Sequence, residues 1–148
     1  TEKILNRLRF PGAIVESVAK LVRNHMRLGS SPKFTPTAAR RVLRDLGDLT
    51  APLLELVEAD CRALAPGVKC MDIGVIARQI ESVRQVTPAA KLRSPLSGSQ
   101  VMDILGLEPG PEVGKAMHWL TEMVLEGRLN PDDQDAASTM LATEYRPG

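Results

Sequence analysis

Three arginines, Arg40, Arg41 and Arg44, form the tightest cationic cluster of the chain, with Arg23, Arg27 and Lys33 close by in sequence. On a helix they spread over about half of the cylinder rather than forming a line. Guanidinium forks meet phosphate oxygens bidentately, and several together give salt-dependent affinity for a polyanion. Arg27, Lys33, Arg40, Arg41 and Arg44 are therefore candidate contacts for a phosphate backbone. A solvated basic face with internal ion pairs accounts for the same pattern, and the sequence leaves both readings open.

His25 and Asp60 are the second pair with chemical potential. His25 ends an apolar stripe in LVRNHMR, and Asp60 sits in VEADCR on a face that reads as apolar. A lone carboxylate is costly there. Either the two contribute to a metal site, or His25 bonds a backbone carbonyl at a helix end and Asp60 is a buried carboxylate paired with Arg40 or Arg41. One histidine and one aspartate fall short of a catalytic metal centre without further ligands.

The remaining chemistry-bearing residues exclude more than they suggest. The sequence holds no phosphate-cradling glycine loop, HExxH, GxSxG or cysteine–histidine nucleophile arrangement. If the chain belongs to an enzyme, the reaction takes place elsewhere. Cys61 and Cys70 have no CxxC or zinc spacing, so reduced, buried structural thiols and a cytoplasmic location are expected. Phe10, Phe34, Trp119 and Tyr145 are all the aromatics, too few for a single-strand binder built on stacked bases. No apolar run is long enough to span a bilayer, and no membrane partner is expected.

The elements that would position these residues are all helical. Thr1 to Phe10 (TEKILNRLRF) reads as the tail of a helix already under way, as in a piece of a longer protein with an upstream domain. Ile14, Val15, Val18, Leu21, Val22 and His25 then form one stripe of a helix ending near Arg27. After a loop at 29–32, Thr35-Pro36 starts a helix burying Ala39, Val42, Leu43 and Leu46 and stopping at Gly47. Thr50 is expected to cap the next helix, with Leu53, Leu54, Val57, Cys61 and Leu64 facing inward. A longer helix follows from about Cys70 to Val86, with Ile73, Ile76, Ala77, Ile80 and Val83 on its seam.

The most specified stretch is 96–114, LSGSQVMDILGLEPGPEVG. Gly106 can end a short helix in a left-handed conformation, Gly110 suits an N-cap, Pro111 the first helical position, and Glu112 the positive end of the dipole. Gly114 inside the following helix is expected to permit close approach of the short one. Asn130 is expected to cap a final helix. Met102, Met117 and Met123 read as core filler, and Trp119 as a core or interface anchor. The chain is thus expected to be all-α, a multi-helix bundle of about seven to eight helices in two small subdomains: residues 1–65, a connecting helix and linker over 66–95, and 96–148.

The net charge of +1 conceals segregation. Residues 1–47 carry ten Lys/Arg against three acids, and 48–148 carry nine against fifteen. Such a field can steer a polyanion onto one part of a molecule.

The order LRFPGAIVESVAKLVRNHMR, FTPTAARRVLRDLG, LLELVEADCRA and LSGSQVMDILGLEPGPEVGKAMHWLTEMVLEGRL resembles bacterial tRNA nucleotidyltransferases, the CCA-adding enzymes and their poly(A) polymerase relatives. The likeness is to the C-terminal helical region of the subgroup with an HD-type domain. It implies an N-terminal catalytic head, missing here, that transfers CMP and AMP from CTP and ATP with Mg2+. No cofactor is expected in this part itself, apart from a divalent metal at an HD-like site. The helices would hold tRNA by shape and phosphate contact, and Arg40, Arg41 and Arg44 match the family's arginine-bearing helix. His25 and Asp60 match late histidine and aspartate positions of HD domains, but the HD dyad that completes such a site is absent. A homodimer is left open. The competing readings are a remnant of a metal-dependent HD phosphohydrolase and a helical protein-interaction module that never touches RNA.

Overall fold

The structure, a computed structural model, describes residues 1–29, 33–65, 67–68 and 70–146. Among them are eight α-helices, three short 3-10 helices and no strand, so the protein is all-α. The chain divides into two compact units, Thr1–Ser82 and Val83–Gly148.

In the first unit, α1 (Glu2–Arg7) and α2 (Gly12–Asn24) are followed by a 3-10 turn, His25–Gly29. Then come α3 (Pro36–Leu46), a 3-10 turn (Gly47–Leu49) and α4 (Thr50–Arg62). The expected loop at 29–32 lies mostly outside the described residues. Helix α3 starts as its sequence requires: Thr35 Oγ1 accepts the amide of Ala38 at 3.2 Å, and Pro36 fills the first turn. Ala39, Val42, Leu43 and Leu46 are buried along it, against a core that includes Leu53, Val57 and Ala19. The helix closes at Gly47, whose φ of 52° favours glycine.

Three details depart from expectation. The stripe on α2 is only partly covered, with Val15 and Ala19 buried but Ile14 and Val22 exposed. Leu64 is likewise exposed rather than inward. Thr50 does not cap α4; its hydroxyl donates 2.6 Å back to the carbonyl of Gly47, because the intervening 3-10 turn already orders the helix entry.

Helix α5 (Ile73–Val86) carries the division between the units. Asp72 Oδ1 accepts the Val75 amide at 3.0 Å at its start, and Ile76, Ile80 and Val83 are buried along its seam. The second unit continues with a 3-10 turn (Ala89–Lys91), α6 (Gly98–Leu105), α7 (Pro111–Glu126) and α8 (Gln134–Glu144). Ser97 and Gln100 form a reciprocal capping box at the start of α6. The corner after it is as read: Gly106 has φ 64°, and the amides of Gly106 and Leu107 both reach the carbonyl of Met102. Gly110 then precedes Pro111 at the start of α7.

Val101, Ala116, Leu120, Leu125, Ala137 and Leu141 make the centre of this core. Trp119 packs on Tyr145 with ring centroids 5.5 Å apart, an anchor rather than an open stacking platform. Asn130 does not cap α8. Its side chain accepts the Asp132 amide in a tight turn, and Asp133 is the cap, accepting the Ala136 amide at 2.8 Å. Gly114 does not mark a helix crossing either, since a Cβ built there would meet nothing within 4 Å.

Candidate nucleic-acid interface

Burial of one face of α3 fixes where its arginines go. With Ala39, Val42, Leu43 and Leu46 inward, Arg40, Arg41 and Arg44 occupy the flanks and are each half-buried. A half-buried arginine packs part of its aliphatic stem against the protein. Lys33 is exposed just before the N-cap of α3. It lines a shallow groove with Leu28, Phe34, Met71 and Asp72.

A residue not anticipated from the sequence, Asp45, organises part of this surface. Arg44 Nε donates to Asp45 Oδ1 at 2.8 Å, and Arg27 Nη1 donates to Asp45 Oδ2 at 2.9 Å. Arg27 Nη1 also reaches Asn24 Oδ1 at 2.8 Å. One carboxylate therefore joins a guanidinium from the 3-10 turn after α2 to one from α3. Burial pushes the Asp45 carboxyl up, but hydrogen bonds and charge from Arg44 and Arg27 outweigh it and hold the group below its ordinary value. Two arginines sharing one carboxylate keep a net positive charge in a fixed orientation.

His25 and Asp60 share a second groove, of ≈ 490 Å³, lined also by Met26, Val57, Cys61 and Cys70. His25 donates Nδ1–H to the carbonyl of Val22 at 2.5 Å, which leaves Nε2 as the other ring position. Asp60 is exposed, not buried on an apolar face. The C-terminal part of α4 extends beyond the covered core, so the carboxylate keeps its water. Among the described residues no three His, Cys, Asp or Glu side chains converge on a point where a metal ion could sit. The pair alone does not fit a divalent ion.

The cysteines overturn the expectation of reduced, buried thiols. Cys61 on α4 and Cys70 before α5 are joined in a disulfide, with Cα atoms 5.7 Å apart. Cys70 is exposed and Cys61 half-buried. The turn after α4 brings the two together, a proximity that a spacing of nine residues does not announce.

The chain is similar to known proteins. Over 131 residues, 88% of the chain, it is 40% identical to the CC-adding tRNA nucleotidyltransferase of Thermus thermophilus. Over its full length it is 34% identical to the A-adding tRNA nucleotidyltransferase of Deinococcus radiodurans. The chain is homologous to tRNA nucleotidyltransferases. It spans about a third of the length of these relatives, 28% and 34% respectively. No family model matches the chain, and no solved structure matches it. The homology to tRNA nucleotidyltransferases takes in both units, since the alignment with the Deinococcus enzyme runs from end to end. No helix among the described residues is long and apolar enough to cross a membrane.

Proposed function

We propose that this chain is the C-terminal helical region of a tRNA nucleotidyltransferase, which grips tRNA through its sugar–phosphate backbone and sets the 3′ end before a catalytic head. The observation that carries this reading is the extent of the homology: 88% and 100% of the chain match about a third of a CC-adding and an A-adding tRNA nucleotidyltransferase. Among the described residues no group of His, Cys, Asp or Glu is placed to hold a metal ion. The contribution of this region to catalysis is positional, remote binding energy spent on orienting the reacting end.

Arg40, Arg41 and Arg44 on α3, with Arg27 and Lys33 beside them, are the phosphate contacts. The Asp45 bridge supports this by fixing two of the guanidiniums before RNA arrives, which lowers the ordering cost of binding. With Trp119 and Tyr145 packed on each other, recognition follows phosphate position and shape more than base identity. The head supplies Mg2+, CTP and ATP chemistry. Any HD-like metal would need ligands beyond His25 and Asp60.

Filter binding of this chain to tRNA across a salt series tests the proposal. Affinity should fall steeply with salt, and Arg40→Glu with Arg41→Glu should reduce the log–log slope by about 2. Binding that ignores both salt and the double substitution would leave the interaction-module reading in its place.

A further inference from the structure

The disulfide lies in a position to do more than brace a loop. It ties the last turn of α4 to the segment leading into α5, and both cysteines line the groove that also holds His25, Met26 and Asp60. The residue after Cys70 is Met71, whose side chain lies on the backbone of Gly29: a Cβ there would sit 2.5 Å from Met71 Cε. Gly29 closes the 3-10 turn that carries His25 and Arg27, and Arg27 holds Asp45. A continuous physical connection therefore runs from the disulfide through Met71 to the turn, and from the turn to the arginine–carboxylate bridge.

We propose that Cys61–Cys70 is a thiol-exchange site whose redox state sets the order of the His25–Gly29 turn. The ligand class is a small thiol or dithiol, and Cys70 is the sulfur attacked. It is exposed, whereas Cys61 is half-buried. An incoming thiolate bonds to Cys70 Sγ, the sulfur–sulfur bond breaks, and Cys61 leaves as a thiolate that takes up a proton from water. A second thiol of the reductant then displaces Cys70. The two-electron balance is one protein disulfide plus one dithiol giving two protein thiols plus the oxidised dithiol. With the bond open, Cys70 and Met71 lose their tether to α4, Met71 lifts from Gly29, and the groove widens beside His25. This proposal does not depend on RNA binding.

Three measurements on the full chain decide it. First, air-oxidised protein denatured in the presence of a maleimide should gain no label, and dithiothreitol-treated protein should gain two; two labels without reductant would overturn the proposal. Second, glutathione followed by acid trapping and peptide mass analysis should place the adduct on Cys70; an adduct confined to Cys61 would reverse the assigned chemistry and overturn it. Third, reduction should speed amide exchange in 25–29 by about tenfold or more, while Met71→Ala should show fast exchange there in both redox states. Unchanged protection in the wild-type turn on reduction would break the link to Gly29. Cys61→Ser with Cys70→Ser should behave as the reduced protein without any reagent, which separates loss of the bond from an effect of the reductant.

Discussion

Asp45 shows how much one carboxylate can decide at the scale of a residue. It accepts from two guanidiniums that come from separate elements, and those partners keep its carboxyl below the ordinary value despite burial. A group whose folded pKa is depressed contributes stability that is present above its unfolded pKa and lost as pH falls through the folded one. Chemical denaturation of the chain between pH 7 and pH 3 should therefore show stability falling off below about pH 4, the ordinary range of an aspartate. Asp45→Asn should remove that contribution, flatten the acid limb and cost about 1 kcal/mol near neutrality, since the bridge is partly solvated. An acid limb identical in the two proteins would mean that the bridge contributes nothing. Sequence alone does not expose Asp45, because its two partners are far apart along the chain and only folding brings Arg27 to α3.

At the scale of elements, two glycines near the same corner carry opposite expectations. Gly106 ends α6 with φ 64°, a conformation in which a Cβ costs about 1–2 kcal/mol. Gly114 lies within α7 with open space around it, where alanine is better by roughly 1 kcal/mol. Gly106→Ala should lower the melting temperature and Gly114→Ala should raise it, measured by circular dichroism on the same chain. If both substitutions destabilise, α7 is packed at Gly114 in a way the structure does not show. The corner was readable because Gly106, Gly110 and Pro111 each have one backbone role that their own chemistry dictates. Helix α3 was readable for the same reason at Thr35 and Pro36. Where several residues could serve, the local signal was ambiguous. Asn130 and Asp133 are both good caps, and the turn around Asp132 gave the cap to Asp133. Thr50 looked like a cap, but the 3-10 turn before it turned its hydroxyl to Gly47. Cys61 and Asp60 were misplaced together, since helical periodicity continues past the point where the core ends.

At the scale of the whole molecule, the two units differ in the sign of their net charge. Thr1–Ser82 holds thirteen Lys/Arg against nine Asp/Glu, a net of +4, and Val83–Gly148 holds six against nine, a net of −3. A chain with almost no net charge can thus still present a cationic unit to a polyanion, and the acidic unit penalises wrong approach. The consequence is kinetic. At low ionic strength Arg40→Glu with Arg41→Glu should slow tRNA association by about tenfold. Lys115→Glu with Arg146→Glu, the same change in total charge made on the acidic unit, should change the rate little. Stopped-flow association at low and at physiological salt reads both, and the difference between the two variants should shrink as screening shortens the field. Equal slowing by the two pairs would mean that tRNA senses only total charge, and the grip assigned to α3 would then have no physical basis.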